Sequence, residues 1–323
     1  MTKPIAIIAG EPNSISSEII FKSWKNRKKY FHKPFFIIGS INLLKLQNKK
    51  LKYNIKIKEI YKNFKLKDYN KNELLVYNIN YIQKKAFQKI SNRSSPYIFK
   101  CFNVAIKLIK EKKILGIINC PVAKEFLFKK KQLGITEFLS KKAGILGNEV
   151  MLIFNKKLAV TPITTHISIS QISGKLKKKL IVKKVRTINN FYIKNFNKRP
   201  NIVILGLNPH NYSIKEKSEE TEVISPAVKL IRKLKIKIIG PVSADTSFML
   251  LKKYKIDVII GMYHDQVLTP FKTLFNYKAV NITLGLPYIR ISPDHGTALD
   301  IAGKNIANPE SLIESIKLFN YLK

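Results

Sequence analysis

The sequence predicts an α/β protein with a largely parallel or mixed sheet. Three observations predict it. Short apolar runs of strand length recur along the 323 residues. Several are separated by amphipathic stretches that carry helix-start signals. The alternation of the two is the pattern of strands covered by helices, and at 45% hydrophobic residues the chain has the material for a real core.

In chain order, the buried-strand candidates are IAIIAG (5–10), FFIIGS (35–40), ILGIINCP (114–121), VMLIFN (150–155), NIVILGLN (201–208), IKIIGPV (236–242), DVIIGMY (257–263) and AVNITLG (279–285). Between them, Ser95 and Pro96 read as the N-cap and first position of a long helix. Asn308 and Pro309 repeat that grammar near the end of the chain, where Leu312, Ile316 and Phe319 fall on one helical face. TEFLSKKAG reads as a shorter helix opened by Thr136. There is no internal repeat, no Gly/Ser linker and no G-x-G-x-x-G fingerprint.

Composition narrows the class. No window approaches the length of a membrane span, and the apolar start is too short for a signal segment, so a cytoplasmic location is expected. Two cysteines, Cys101 and Cys120, make neither a disulfide framework nor a metal spacing; they read as buried free thiols. The formal net charge of +40 is almost all lysine, with arginine at six positions. The lysines are spread along the chain. Nucleic-acid readers favour the planar arginine fork, so nucleic acid is not an expected partner. From about 236 to 303 lysine thins while Asp, Gly, Pro and His gather.

The five histidines focus the search. His166, His210 and His264 each follow an apolar run, where ligands bind in open α/β sheets. Three imidazoles meeting there would suit a divalent metal with an open position. Spacing alone leaves open that they are separate loop residues. Asp245 and Asp265 follow neighbouring runs and could orient an imidazole, take a proton, or simply form turns. His32, in KKYFHKPFF, reads as surface.

GEP (10–12), GLNPH (206–210), GPVSADT (240–246), MYHDQ (262–266), VNITLGLPYIR (280–290) and DHGTALDIAG (294–303) occur in that order. Together they resemble the 4-hydroxythreonine-4-phosphate dehydrogenase family of vitamin B6 biosynthesis, from residue 5 to the C-terminus. The 294–309 stretch also resembles a loop of isopropylmalate dehydrogenases. The resemblance implies a two-domain isocitrate/isopropylmalate dehydrogenase-like fold with mixed sheets and a central cleft. It divides the chain into 1–130 plus 304–323 and a second domain, 131–303, carrying the histidines and the cofactor loop. It implies a cytoplasmic homodimer with the active site at the subunit interface, and a divalent metal (zinc, magnesium or cobalt) on His166, His210 and His264. Asp245 and Asp265 become the catalytic candidates. Thr136, Lys272, Asn281 and Arg290 match residues that hold the substrate's phosphate and carboxylate. NAD or NADP is expected near His295, Gly296, Thr297 and Asp300. The implied reaction is oxidation of 4-phosphohydroxy-L-threonine to a β-keto acid that decarboxylates to 3-amino-2-oxopropyl phosphate. The rivals are another four-carbon phosphorylated acid, such as threonate or erythronate 4-phosphate, and a basic nucleic-acid-binding remnant.

The chain also departs from the family pattern. GEPNSISSE stands for GEPAGIGPE, NCPV for TGPV, and GITEF for GHTEF, which puts Ile135 where a substrate-contacting histidine is usual and a dianion is expected. NPHNYSIKEKSEE replaces the glycine-rich NPHAGEGG.

Overall fold

The computed structural model describes residues 3–30, 32–61, 72–128, 134–211 and 217–322. It is α/β, and it divides into two compact units. One is Met1–Gly147 with Leu286–Asn320; the other is Asn148–Gly285 with Tyr321–Lys323.

The first unit holds β1 (Ile5–Ile8), β2 (Phe35–Gly39), β3 (Ile57–Ile60), β4 (Leu74–Asn78), β5 (Gly116–Asn119) and β12 (Ile289–Pro293). Their spatial order is β3-β4-β2-β1-β5-β12 and every pairing is parallel. Parallel strands covered on both faces are apolar throughout, and all residues of β1, β2 and β5 are buried. The order reverses at β1: the chain builds outward through β2 on one side and returns with β5 on the other. Ligands in such sheets bind beyond the carboxyl ends at that point.

The second unit holds β6 (Val150–Asn155), β7 (Leu158–Pro162), β8 (Ile202–Leu205), β9 (Ile238–Val242), β10 (Val258–Gly261) and β11 (Val280–Leu284). Their order is β11-β6-β7-β10-β8-β9. β6 is antiparallel to both of its neighbours, while β7, β10, β8 and β9 are parallel.

All eight strand candidates form strands. β3, β4, β7 and β12 were not among them. β3 has only two isoleucines, set about an adjacent lysine and glutamate at the sheet edge, and β12 carries an arginine inside a buried run. The helix with Pro96 in its first turn runs Ser95–Lys110 and takes Ser94 as its N-cap. The last helix, Glu310–Leu318, takes Pro309 as its N-cap rather than Asn308, whose Oδ1 accepts from the Glu310 amide at 2.8 Å. The helix Ile135–Lys142 starts one residue before Thr136, with Gly134 at its N-cap.

The division differs from the one implied by the resemblance. Residues 134–147 and 286–303 belong with the first unit, for two reasons. β12 pairs with β5, placing Arg290 opposite Ile117. The helix Ile135–Lys142 gives Ile135 and Leu139 to the same apolar cluster as Ile8, Phe36, Phe102 and Ile117. Burying such a side chain contributes about 1.5–3 kcal/mol, which is what ties the two segments to this unit. Among the described residues no helix is long and apolar enough to cross a membrane. Both cysteines are free and buried, and burial pushes both thiols up, Cys101 to about 12.

Candidate active site

In the second unit, the carboxyl ends of β7, β10, β8 and β9 lie side by side in that order. His166, His264, His210 and Asp245 follow those ends in the same order. Adjacent strands are spaced by about 4.8 Å, so side chains beyond neighbouring ends come within reach of one another. The rings of His166 and His264 lie 5.9 Å apart, centroid to centroid. The chain builds this meeting by stitching the two strand ends together. Ile163 N donates to Gly261 O at 2.8 Å, and the Thr164 hydroxyl and amide both donate to Met262 O, at 2.7 and 3.0 Å. Lys184 adds a donor from behind, its Nζ bonding Ile163 O at 2.8 Å.

Each of the other two strand-end contacts pairs an imidazole with a carboxylate. His264 Nδ1 lies 2.6 Å from Asp265 Oδ1, and His210 Nδ1 lies 3.7 Å from Asp245 Oδ2. The Asp265 contact fixes the orientation of the His264 ring through Nδ1, while the His210 contact is longer than a hydrogen bond. The Ser243 hydroxyl, donating to Asp245 Oδ1 at 2.6 Å, holds that carboxyl below its usual range, and His210 pulls the same way. His166 and His210 both adopt left-handed backbone, φ 52°. That conformation is rare outside glycine and persists where surrounding structure imposes it.

The surroundings of His210 show how it is imposed. Glu220 is buried, and its Oε1 accepts from the amides of Leu207 and Asn208 at 2.7 and 2.9 Å. Asn208 Nδ2 donates to both Glu219 and Glu220. Gln266 accepts from Met262 N at 2.6 Å and donates to Gly206 O at 2.8 Å, joining the ends of β10 and β8. Sequence reading missed Glu219, Glu220 and Gln266. Gln266 stood in the quoted MYHDQ, but its bridge depends on which strands are neighbours. Of the segment that replaces the family's glycine-rich loop, residues 212–216 lie outside the described residues.

The imidazoles suit a metal by donor chemistry and by placement, but the cluster stops short of a closed centre. Among the described residues no group of three His, Cys, Asp or Glu is drawn together closely enough to hold an ion. Lys272 projects from the helix His264–Phe275 and is exposed. Asn281 on β11 has its Oδ1 buried without a hydrogen-bond partner among the described residues, an exception that calls for an explanation.

In the first unit, Arg290 on β12 is 4% exposed. Its Nε donates to Asn119 Oδ1 at 2.7 Å, and its Nη1 reaches Thr136 Oγ1 at 3.4 Å. Burial lowers its pKa to about 10, opposed by Tyr288 and Glu137, so the guanidinium stays charged at neutral pH. The Tyr288 hydroxyl is buried without a hydrogen-bond partner among the described residues, and burial pushes it to about 12, with Arg290 pulling it back. It is a candidate that sequence reading missed. Arg290 and Thr136, which the resemblance matches to substrate-holding residues, thus meet in the first unit. Ile135 takes no part in that contact. It is 3% exposed and faces the apolar cluster, because the helix turns it away from Thr136.

The 294–300 loop leaves the carboxyl end of β12, beside those of β5 and β1. Gly296 is exposed, with nothing within 4 Å of where a Cβ would stand, so a ligand has room to approach its backbone. His295 Nδ1 contacts Gly296 O at 3.1 Å, and Asp300 is exposed. Thr297 O accepts from Ile15 N at 3.3 Å, tying the loop to the segment after β1. That segment lost the family's glycines and proline, and a polar network holds it instead. Ser14 Oγ bonds Glu11 O and Ser16 Oγ, both at 2.8 Å, and Asn13 Oδ1 accepts from the amide of Gln88 and from Gln83 Nε2, both at 2.8 Å. Gly10 is retained, with φ 75°, where a Cβ would strike Pro121 O. Next to it Glu11 is buried, accepts from the Ser94 hydroxyl at 3.0 Å, and is pushed up to about 6 by burial against the pull of Ser94 and the Asn13 amide.

Comparison with known proteins agrees with these features. Residues 31–319 match the family described as pyridoxal phosphate biosynthetic protein PdxA. A 4-hydroxythreonine-4-phosphate dehydrogenase of Sulfurihydrogenibium sp. is 38% identical over 99% of this chain and 98% of its own. A relative from Oceanobacillus iheyensis, provisionally named a D-threonate 4-phosphate dehydrogenase, is 34% identical over 97% and 96%. The crystal structure of 4-hydroxythreonine-4-phosphate dehydrogenase from Klebsiella pneumoniae superposes with a TM-score of 0.84 at 30% identity, covering 98% of each chain. Matched over most of its length by the family model and over nearly all of it by these relatives, the chain belongs to the PdxA family of pyridoxal phosphate biosynthetic proteins.

Proposed function

We propose that this chain is a metal-dependent NAD or NADP dehydrogenase acting on 4-phosphohydroxy-L-threonine. The product is a β-keto acid that loses carbon dioxide to give 3-amino-2-oxopropyl phosphate. The observation that carries the reading is the row of three histidines beyond adjacent parallel strands, two of them with carboxylate partners. Their side chains are the donor type for a divalent ion of the zinc or cobalt class. His166, His210 and His264 would hold it, and it would supply Lewis-acid stabilisation of the alkoxide near neutral pH.

The chain's own residues have separable tasks in this reading. Asp265 orients His264, and Asp245 orients His210 or accepts a proton at its carboxylate. Arg290, Thr136, Lys272 and Asn281 bind the substrate's phosphate and carboxylate by charge-assisted and amide hydrogen bonds. The helix Ile135–Lys142 offers its first amides, which favour an anion. Gly296, His295, Thr297 and Asp300 would position the nicotinamide cofactor, which would supply the hydride acceptor. The active form is a cytoplasmic homodimer.

The test is spectrophotometric NAD(P)H production on a panel of 4-phosphohydroxy-L-threonine, D-threonate 4-phosphate and D-erythronate 4-phosphate, with each cofactor. Several divalent ions are supplied in turn. The reading expects the first substrate to have the highest kcat/KM and a chelator to abolish it. A preference for threonate 4-phosphate would reassign the substrate to that of the Oceanobacillus relative. No turnover with any of them would end the dehydrogenase reading. Light scattering at micromolar concentration tests the dimer.

A further inference from the structure

Lys184 stands on the helix Lys178–Phe196, where its neighbours Lys183 and Arg186 are exposed. Its own ammonium is turned inward. Nζ donates to Ile163 O at 2.8 Å and to Pro162 O at 3.4 Å. These carbonyls lie at and just beyond the end of β7, and β6 pairs with that strand over Leu158–Val160, short of both. Burial lowers the Lys184 pKa to about 8, with Glu149 raising it. Glu149 Oε2 is buried without a hydrogen-bond partner among the described residues. An ammonium placed there gives up hydration, and a neutral donor could meet the carbonyls without that cost. What the charge adds is the strength of a charge-assisted bond.

The segment it holds leads to a site residue. Ile163 is anchored to Lys184 through its carbonyl and to Gly261 O through its amide, and Thr164 bonds Met262 O through both its amide and its hydroxyl. Only Thr165 separates these anchors from His166, whose backbone is left-handed at φ 52°. Such a conformation persists where the surrounding structure imposes it, and these bonds impose it from the entering side. We infer that Lys184 is a positioning residue for His166: from its helix, the ammonium holds the end of β7 and so aims the imidazole towards that of His264. The two rings stand 5.9 Å apart. The inference deepens the metal reading proposed above and rests on it for one consequence, the affinity of the site for an ion.

Lys184→Met keeps the stem and removes the ammonium. Cobalt(II) titrated into the metal-free protein, followed by visible absorption, should bind this variant about tenfold more weakly, the scale seen when the support of a metal ligand is lost. The band shape should change as well, since His166 would present its imidazole in a different direction. Lys183→Met removes the same charge from an exposed neighbour and should leave affinity and spectrum as they are. Lys184→Arg returns a charged donor and should recover part of the affinity. A purely structural role would lower the melting temperature of Lys184→Met and leave cobalt affinity and spectrum unmoved, and that result overturns the inference. If the methionine variant does not fold, Lys184→Gln, a neutral donor on a shorter stem, takes its place with the same expectation.

A second measurement needs no ion. In nuclear magnetic resonance spectra of the metal-free protein, the imidazole signal of His166 should shift in Lys184→Met, and that of exposed His32 should not. If the natural chain binds no cobalt, the metal reading falls. A shifted His166 signal then keeps the role of Lys184, and an unshifted one ends it. If cobalt binds the natural chain and Lys184→Met equally and the His166 signal stays in place, Lys184 does not position His166.

Discussion

Arg290 and the histidines at the strand ends are both candidate ligand-binding groups, yet they are built in opposite ways. Arg290 is 4% exposed and its Nε is held by a side chain of its own unit. The His210 side chain is 82% exposed and that of His264 is 38% exposed. The difference follows from charge. A buried guanidinium must have partners whether or not a ligand is present, since an unpaired buried charge costs several kcal/mol. An imidazole can remain wet until an ion replaces the water. The first unit therefore presents a buried guanidinium already bonded to Asn119, while the second presents imidazoles in reach of water, two of them beside carboxylates.

The largest test of that contrast is removal of the open ligands. His166→Ala, His210→Ala and His264→Ala should each lower bound metal, measured by elemental analysis after dialysis. Each should also abolish turnover, because an ion contributes several kcal/mol to stabilising developing charge. His32→Ala, at an exposed position, should do neither. Melting temperatures should barely move for any of them, since exposed side chains contribute little to stability. Full metal and activity in any one of the three would remove that residue from the set.

Arg290→Ala should behave in the reverse manner and affect fold as well as binding. Substrate KM should rise by the equivalent of about 1.5–3 kcal/mol for a lost charge-assisted contact. The melting temperature should also fall, because Asn119 Oδ1 would be left buried without its donor. A variant with normal KM and a lowered melting temperature would make the arginine purely structural.

Ile135 sharpens the contrast at the level of one helix turn. Its neighbour Thr136 meets the guanidinium, whereas Ile135 packs with Leu139 in the core. Restoring the family's histidine, Ile135→His, should therefore not tighten substrate binding. It should destabilise the fold by about 1–3 kcal/mol, the cost of placing an unbonded polar group in an apolar site. Chemical denaturation would measure the loss. A lower KM with unchanged stability would mean that the helix can turn this position towards the anion.

Glu11 is the mildest probe. Its carboxyl is pushed up to about 6 from 4.5 by burial, so between those values the folded chain binds more protons than the unfolded one. Stability then falls as pH rises through the interval from about 4.5 to about 6. The contribution is fully present at the acid side and gone above it. A shift of that size corresponds to about 2 kcal/mol. Glu11→Gln should flatten this part of the pH–stability curve and be more stable than the natural chain at pH 8. A slope that persists in the variant would assign the effect to another group.

The sequence by itself determined the α/β class, because strand-length apolar runs and helix-length amphipathic stretches announce themselves locally. It also placed His166, His210 and His264 beyond strand ends, since each lies within a few residues of an apolar run. The resemblance carried the rest of the candidate site, including Arg290 and Thr136. Tertiary structure decided what those residues touch. The order β7-β10-β8 is not chain order, so the meeting of His166 with His264 and the Gln266 bridge could not be read from spacing. Nor could the division of the chain, which hangs on β12 returning to β5 across more than a hundred residues. Asn119 and Arg290 are 171 positions apart, and Ile135 differs from Thr136 only in which way the helix turns it. Local patterns fix which segments form strands and helices. Partners across the fold are set by which strands become neighbours, and that is a property of the whole packed chain.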